Sequence, residues 1–553
     1  MTNLRHIAPA ARVAATGTAG TTSQPDRSRR GALPVDPARG SLRPLGLGAV
    51  RIDGGPLADL QQLNASALIT HCAGWLEKAG WIGNFDAAAR GRLPADRQGR
   101  EFSDSEIYKV LEAMAWEVGR TGDPALTQQI ADLTARVVAA QEDDGYLSTA
   151  FGRPGQPPRW SDLEWGHELY CIGHLVQAAV ARLRTGHDDD LVAVGRRAAD
   201  LVCEVFGLDG DQRLCGHPEI EVALVELHRA TGEARYLDQA RLFVQRRGHG
   251  VLDDSVFGAE YFQDDVPVRG ADVHRGHAVR AMYLAAGAID LAVEDHDDEL
   301  LDAVRRQTLT TLARRTYLTG GMGSHHEGES FGQDYELPSD RAYAETCASI
   351  GSMMVNQRLL LATGDPCHAD AVERALHNTV AGSPGEDGRS FYYTNPLQVR
   401  TSGTVPPEDQ LATRAAASLR APWFVVSCCP PNVARTLAAV ESLRPTTTAC
   451  SCTSTPAARC GPSFLRGRWS FAYVLRIPRR AGCRWRLCRP PRSNGRCRYG
   501  FRAGQTGPGS RPLTASSVRS HPERRPRTGR SGPVTYWCWT CRCRRAGRTP
   551  TLE

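Results

Sequence analysis

The chain has 553 residues, 41% of them hydrophobic, enough for two or three domains with full-sized cores, and no apolar run is long enough to cross a bilayer. Its net charge of +6 divides unevenly: residues 444–553 carry 24 Arg, no Lys and 2 Glu, a balance of +22, which leaves −16 for residues 1–443. The 17 cysteines split at the same place, 8 before and 9 after, and an odd total without regular spacing excludes a disulfide scaffold. A soluble, cytoplasmic protein with thiols kept for chemistry is expected, with no membrane partner. The basic end has few aromatic platforms among its arginines, so no nucleic-acid partner is expected either.

Residues 1–40, rich in Ala, Thr, Pro and Arg, read as a mobile tail, and residues 41–56 as a short extended segment. Helices follow. Ser103-x-x-Glu106 reads as a capping box, and Ile107, Val110, Leu111, Met114 and Val118 follow it at helical spacing. Thr-Gly recurs at 121–122, 185–186, 231–232 and 363–364, always between two helical patterns, and twice continues as Asp-Pro (Asp123-Pro124, Asp365-Pro366). Glycine closes one helix, Asp caps the next and Pro fills its first turn, so these are tight helix–helix hairpins. The other connections, near residues 142–163, 206–217, 248–275 and 318–341, are long. Helices running up and down would gather the short turns at one end and the long loops at the other. A mainly α fold, an α/α toroid with its site at the long-loop end, is expected.

The long loops carry the polar motifs: Asp143-Asp144-Gly145-Tyr146, Arg159-Trp160, Gly166-His167-Glu168, Gly216-His217-Pro218-Glu219, Asp264-Asp265 and His274-x-x-His277. Histidines and aromatics around one mouth suit a polyhydroxylated ligand, because sugars present hydroxyls and apolar C–H faces together. Glu345, Cys347, Cys428 and Cys429 make a complete set of four zinc ligands by type, and adjacent cysteines such as Cys428 and Cys429 turn more easily to a shared partner than to each other. A Ser/His/Asp elbow, a phosphate loop and a dinucleotide fingerprint are absent.

Tyr317-Leu-Thr-Gly-Gly-Met-Gly, Gly328-Glu329-Ser-Phe331, Ala342-Tyr343-Ala-Glu345-Thr346-Cys347, Phe391-Tyr-Tyr393-Thr-Asn395-Pro396 and Cys428-Cys429-Pro430-Pro431-Asn432 together resemble the bacterial β-L-arabinofuranosidases of glycoside hydrolase family 127. The resemblance extends upstream through Gly80-Trp81-Ile82-Gly83, Asp144-Gly-Tyr-Leu147, Gly166-His-Glu-Leu-Tyr170 and Gly276-His-Ala-Val-Arg280, covering roughly residues 41–443. It implies an (α/α)6 barrel, a six-hairpin toroid, followed by a β-sandwich, and zinc-dependent retaining hydrolysis of β-linked L-arabinofuranose. By the same resemblance Glu329 is the acid/base and Cys428 is both nucleophile and zinc ligand, joined on the metal by Glu345, Cys347 and Cys429. His167, His217, His277 and Tyr393 match sugar-contacting positions. Glu327 and Glu336 share the loop with Glu329, and only the motif match separates them. The expected partner is a small carbohydrate, and a homodimer is compatible with the reading.

Two other function classes fit part of the pattern. A zinc toroid that activates substrate thiols, similar to lanthionine cyclases, would use the cysteines but has no need of Glu329. A degraded homologue would bind sugar without turnover. At the chain's end the resemblance stops near Glu441-Ser442-Leu443, where Arg, Cys and Pro take over. Residues 444–553 therefore read as an out-of-frame translation of the β-sandwich, with Phe471-Ala-Tyr-Val-Leu-Arg-Ile-Pro478 as a short in-frame remnant.

Overall fold

The structure, a computed structural model, describes residues 32–252, 256–400, 403–404, 407–413, 419–443 and 445–447. After strand β1 (Leu42–Pro44), helices α1 (Pro56–Leu63) and α2 (Ile69–Lys78) run on through a π-helical turn at Asn64–Leu68, and α3 (Gly83–Ala89) follows. Then come α4 (Ser103–Thr121) with α5 (Pro124–Ala140), α6 (Glu168–Arg184) with α7 (Asp190–Val205), and α8 (Ile220–Thr231) with α9 (Ala234–Arg246). The short α10 (Gly258–Tyr261) precedes α11 (Ala278–Glu294) with α12 (Asp298–Arg314), α13 (Thr346–Thr363) with α14 (Pro366–Ala375), and finally α15 (Cys429–Ala438).

Six of these helices, α4, α6, α8, α11, α13 and α15, pack each on the next, and α15 packs back on α4 to close a ring. Their partners α5, α7, α9, α12 and α14 form an outer layer. For α15 that place is taken by α1 and α2, so the two ends of the domain complete the sixth hairpin. This is the (α/α)6 barrel expected from the sequence. The inner helices are buried all round: every residue of α4 from Ser103 to Val118 and of α11 from Ala278 to Val293 is buried.

The Thr-Gly turns do what their chemistry suggests. Gly122, Gly232 and Gly364 stand at the C-caps of α4, α8 and α13 with φ of 71°, 83° and 73°, in the left-handed region that glycine enters without a Cβ penalty. Asp123 accepts the Ala125 N–H at 2.8 Å and Asp365 the Cys367 N–H at 3.1 Å. Each of these inner helices thus turns sharply outward at one end of the barrel, and the long loops return at the other.

Three findings depart from the sequence reading. The capping box at Ser103 does not form: Phe102 holds the N-cap position of α4 without a side-chain cap, and Glu106 turns inward to accept from Lys109 Nζ at 3.1 Å. A fully buried ammonium needs a carboxylate, whereas the Ser103 N–H that a capping box would have satisfied already donates to Arg100 O at 3.0 Å. The boundary set at residue 40 also falls inside the folded body, because Arg184 Nη1 donates to Leu33 O at 2.9 Å and Arg39 pairs with Asp298 at 2.7 Å. Past residue 443 the chain continues into β2 (Pro445–Thr447), which pairs antiparallel with β1, Leu42 opposite Thr447. Residues 1–31 and 448–553, and with them the expected tail, β-sandwich and Phe471–Pro478 remnant, lie outside the described residues. Among the described residues no helix is long and apolar enough to cross a membrane.

Asp365 gives a local test of the hairpin reading. The Cys367 N–H and the Arg305 guanidinium, 2.9 Å away, hold its carboxyl down at about 2. A depressed carboxyl stabilises the fold above its unfolded value near 4, and loses that contribution as pH falls toward 2. Asp365→Ala is expected to cost about 1 kcal/mol at neutral pH, with Asp365→Asn costing less because it keeps the cap. Denaturant titrations of the three proteins at pH 7 and pH 4 check both the size and the narrowing of the gap at the lower pH.

Candidate active site

The N-termini of the inner helices converge at the long-loop end on a cavity of about 350 Å³. His167, Glu345 and Cys428 stand at the N-cap positions of α6, α13 and α15, His277 caps α11 with its side chain, and His217 lies just before α8. The convergence follows from the topology: every outer-to-inner connection ends at this mouth.

Two of these starts build the thiol cluster. In α15 the prolines after Cys429 occupy the first turn, where an absent N–H costs nothing, and this places two successive cysteines at the helix start. Cys347 lies in the first turn of α13, one residue past Thr346. The loop that carries Tyr393 is tied to that helix start by Thr346 N donating to Tyr393 O at 3.0 Å and Asn395 Nδ2 donating to Ala344 O at 2.8 Å. Cys428 Sγ then lies 3.1 Å from Glu345 Oε1 and 3.1 Å from Tyr393 Oη, and Cys347 Sγ lies 3.5 Å from Cys429 Sγ. One donor atom from each of Glu345, Cys347, Cys428 and Cys429 falls within 4.8 Å of the others.

The cluster is short of positive charge. Burial pushes the Cys428 thiol up to about 11 and Glu345 and Cys429 well above their ordinary values; at Cys347 the hydrogen bonds from Cys428 and Cys429 outweigh burial and lower it. Glu345 Oε2 is buried without a hydrogen-bond partner. Three thiols and a carboxylate around one point, with a carboxylate oxygen left over, fit a divalent zinc ion, which takes such ligands in fours and displaces their protons.

Glu329 approaches from the loop before α13. Gly328 and Glu329 both have left-handed backbone, φ 67° and 53°, and for a non-glycine residue this is strain of roughly 1–3 kcal/mol of the kind kept at functional sites. Glu329 is buried, whereas Glu327 is exposed and the exposed Glu336 is taken by His325 at 2.7 Å. His277 Nδ1 accepts the Val279 and Arg280 N–H groups at 3.2 and 3.4 Å, so the neutral ring carries its proton on Nε2, which faces Glu329 Oε2 at 3.2 Å. Donor atoms of His277, Glu329 and Glu345 also lie within 4.8 Å of one another.

Burial, with Arg280 next, brings His167 down to about 3 and His217 well below its ordinary value, so both are neutral hydrogen-bonding groups at any working pH. All the residues given a catalytic, sugar-contacting or metal-binding role from the sequence line the cavity except Cys429, which is fully buried. Several motifs do not reach it. Asp144 pairs with Arg159 at 2.5 Å, Asp264 ties down its loop by accepting from Leu252 N at 2.7 Å, and His274 meets Thr308 Oγ1 at 3.1 Å. Trp165, Tyr170, Phe257, Tyr261 and Arg280 line the cavity without having been assigned a role from the sequence. The one available signal was spacing, since Arg280 lies one helical turn beyond His277.

Comparison with known proteins gives this arrangement its class. The β-L-arabinofuranosidase family described as the GH127 catalytic domain matches residues 49–442. The non-reducing end β-L-arabinofuranosidase of Bifidobacterium longum subsp. longum is 35% identical over 385 residues, 65% of this chain and 57% of that protein. The solved structure of a GH127 β-arabinofuranosidase superposes with a TM-score of 0.66 at 33% identity, covering 74% of this chain and 62% of that one. The GH127 β-L-arabinofuranosidase Ara127N-Se from Geobacillus stearothermophilus T6 gives 0.65 at 33% identity, covering 71% and 65%. The barrel is therefore a glycoside hydrolase catalytic domain. More narrowly, the chain belongs to glycoside hydrolase family 127, and it spans 57% to 65% of the length of these relatives.

Proposed function

We propose that the protein is a retaining β-L-arabinofuranosidase that releases β-linked L-arabinofuranose from oligosaccharides or glycoconjugates, with Cys428 as nucleophile and Glu329 as general acid and base. The observation that carries this reading is that the Cys428 thiol and the Glu329 carboxyl open onto one cavity and share Glu345 as a neighbour. Glu345, Cys347, Cys428 and Cys429 would hold zinc, which when bound keeps the thiols ionised near neutral pH.

Glu329 begins protonated on the oxygen that His277 Nε2–H does not occupy. Its proton passes to the glycosidic oxygen while the Cys428 sulfur donates an electron pair to C1 and the C1–O bond breaks. The Glu329 carboxylate then takes a proton from a water that attacks C1 from the vacated face, the S–C1 bond breaks and the thiolate is restored. Two inversions give retention, with a sulfur in place of one carboxylate of the usual pair. His167, His217 and Tyr393 supply neutral hydrogen-bonding groups for the sugar hydroxyls. Enzymes that only activate a substrate thiol have no use for a buried, histidine-paired acid such as Glu329, which favours the glycosidase.

A panel of aryl furanosides and pyranosides, assayed with and without added zinc, tests the reading. Turnover of the β-L-arabinofuranoside is expected; a zinc-loaded protein that turns over no glycoside would overturn it. Chelation is expected to remove activity and thermal stability together, because the ligand set ties the start of α13 to the start of α15. Cys367→Ala serves as the control. The Asp365 and His368 side chains near Cys367 are committed to the α14 cap and to Asn356 at 2.8 Å, so its loss should leave the metal content unchanged. Metal analysis of that variant checks it, and a drop would show the ligand set to be wrong.

A further inference from the structure

The helix start that carries Cys428 is poorly held by its own backbone. Pro430 and Pro431 bring no N–H groups, Cys428 makes no side-chain cap, and the first backbone bond of the turn, Asn432 N to Cys428 O, is 3.3 Å long. Cys428 nevertheless has helical φ and ψ of −61° and −34°, so Asn432 and Arg435 further along α15 share its face of the helix. Arg435 donates from Nε to Asn432 Oδ1 at 2.6 Å, from Nη1 to Glu112 Oε2 at 2.9 Å and from Nη2 to Tyr283 Oη at 3.1 Å. Asn432 Nδ2 donates to the same Tyr283 oxygen at 3.2 Å. The amide is fixed in direction, because a guanidinium can only donate and therefore claims the amide oxygen, which turns the NH2 to Tyr283. Glu112 stands on α4 and Tyr283 on α11, helices on opposite sides of the ring, so the link crosses the barrel axis. All four residues are buried. Tyr283 lines the active-site cavity, while Arg435 and Glu112 line a second cavity of about 110 Å³, so this layer is the floor between the two.

We infer that Asn432 is a positioning residue for Cys428: held by Arg435 on one side and by the Tyr283 hydroxyl on the other, it sets the first turn of α15 and both of its cysteines in place. The inference deepens the arabinofuranosidase reading and rests on it. A sulfur that must meet both a metal and C1 tolerates little drift, since a misplacement of about 1 Å costs on the order of 10²-fold in rate. Groups that orient metal ligands from behind are each worth about 10–100-fold in metal affinity or activity.

The test compares Asn432→Ala, Tyr283→Phe and the double variant with the wild type and with Asp290→Ala. Asp290 lies about two helical turns beyond Tyr283 on α11 and binds Arg229 and Arg358, so its loss damages the fold away from this link. For each protein the melting temperature is recorded, zinc affinity is measured by competition with a chromophoric chelator, and kcat and KM are taken at saturating zinc on an activated aryl β-L-arabinofuranoside. Asn432→Ala and Tyr283→Phe are each expected to weaken zinc binding and lower kcat by about tenfold or more, with KM within about threefold of the wild type. The double variant should be little worse than the worse single one, because both changes break one link. Asp290→Ala should melt lower and keep the wild-type zinc affinity and kcat. A merely structural Asn432 would lower the melting temperature and leave zinc affinity and kcat unchanged in the folded molecules, and that result would overturn the inference alone. So would single losses that multiply in the double variant, or equal losses in Asp290→Ala. Tyr283→Phe removes a single oxygen, so it carries the test if Asn432→Ala fails to fold. No turnover by the zinc-loaded wild type would overturn the arabinofuranosidase reading, and this inference with it.

Discussion

Cys428→Ser is expected to lose turnover by roughly 10⁴-fold or more and to weaken metal binding in the same protein, because in the proposed mechanism one sulfur serves both the metal and the sugar. Its neighbours make the double loss specific. Cys428 Sγ lies 3.1 Å from Glu345 Oε1 and 3.8 Å from Cys429 Sγ, so a serine hydroxyl removes a soft donor from a set of four. Glu329→Gln should behave differently. It keeps an amide oxygen to accept from His277 Nε2 and does not belong to the thiol cluster, so metal content should match the wild type. Its activity should fall about 10²–10⁴-fold on substrates whose leaving group needs a proton, and much less on activated aryl substrates. Metal analysis and kcat/KM on both substrate types decide the matter. Equal loss of zinc in the two variants would sink the assignment of roles.

The sequence was most legible where chemistry forces an unusual residue. Gly122, Gly232 and Gly364 mark left-handed C-caps that almost nothing else can fill, and their recurrence exposed the alternation of short turns and long loops. The Glu-x-Cys and Cys-Cys-Pro-Pro segments were legible for the same reason. Periodicity failed on the inner helices. In α4 the apolar stripe is real, yet Asp104, Glu106, Lys109, Glu112 and Glu117 on its other faces are buried too, because neighbours surround the helix. A polar residue on such a helix looks solvated in sequence and is in fact committed to a partner. The failed capping box at Ser103 is one case. Arg280 is another: the rings around its guanidinium come from Trp165 before α6 and from Tyr261 and Phe262 at and after α10, contacts that no local pattern announces.

The largest stability effect is expected at the opposite end of the barrel from the cavity, where buried ion pairs staple inner helices together. Asp290 on α11 accepts from Arg229 on α8 at 2.8 Å and from Arg358 on α13 at 2.6 Å. Glu226, fully buried on α8, holds Arg229 at 2.7 Å and Arg184 of α6 at 2.7 Å. Four of the six ring helices meet in this network, through inter-helix partners 42 to 68 residues apart in sequence. Asp290→Ala leaves Arg358 the Met354 carbonyl at 3.3 Å and, among the described residues, only Glu226 at 3.8 Å as a carboxylate, so a buried guanidinium loses its one close carboxylate. Breaking a buried pair on one side costs about 3–5 kcal/mol, whereas replacing both partners by apolar residues of similar volume is often close to neutral. Asp290→Ala should therefore lower the denaturant midpoint markedly with an unchanged slope, and Asp290→Leu combined with Arg358→Met should recover much of the loss. Zinc content per folded molecule should stay at the wild-type value in both, since the network and the thiol cluster lie at opposite ends of α13. If Asp290→Ala were no more destabilising than the double variant, the ion pairs would be incidental and the ring would be held by apolar packing alone.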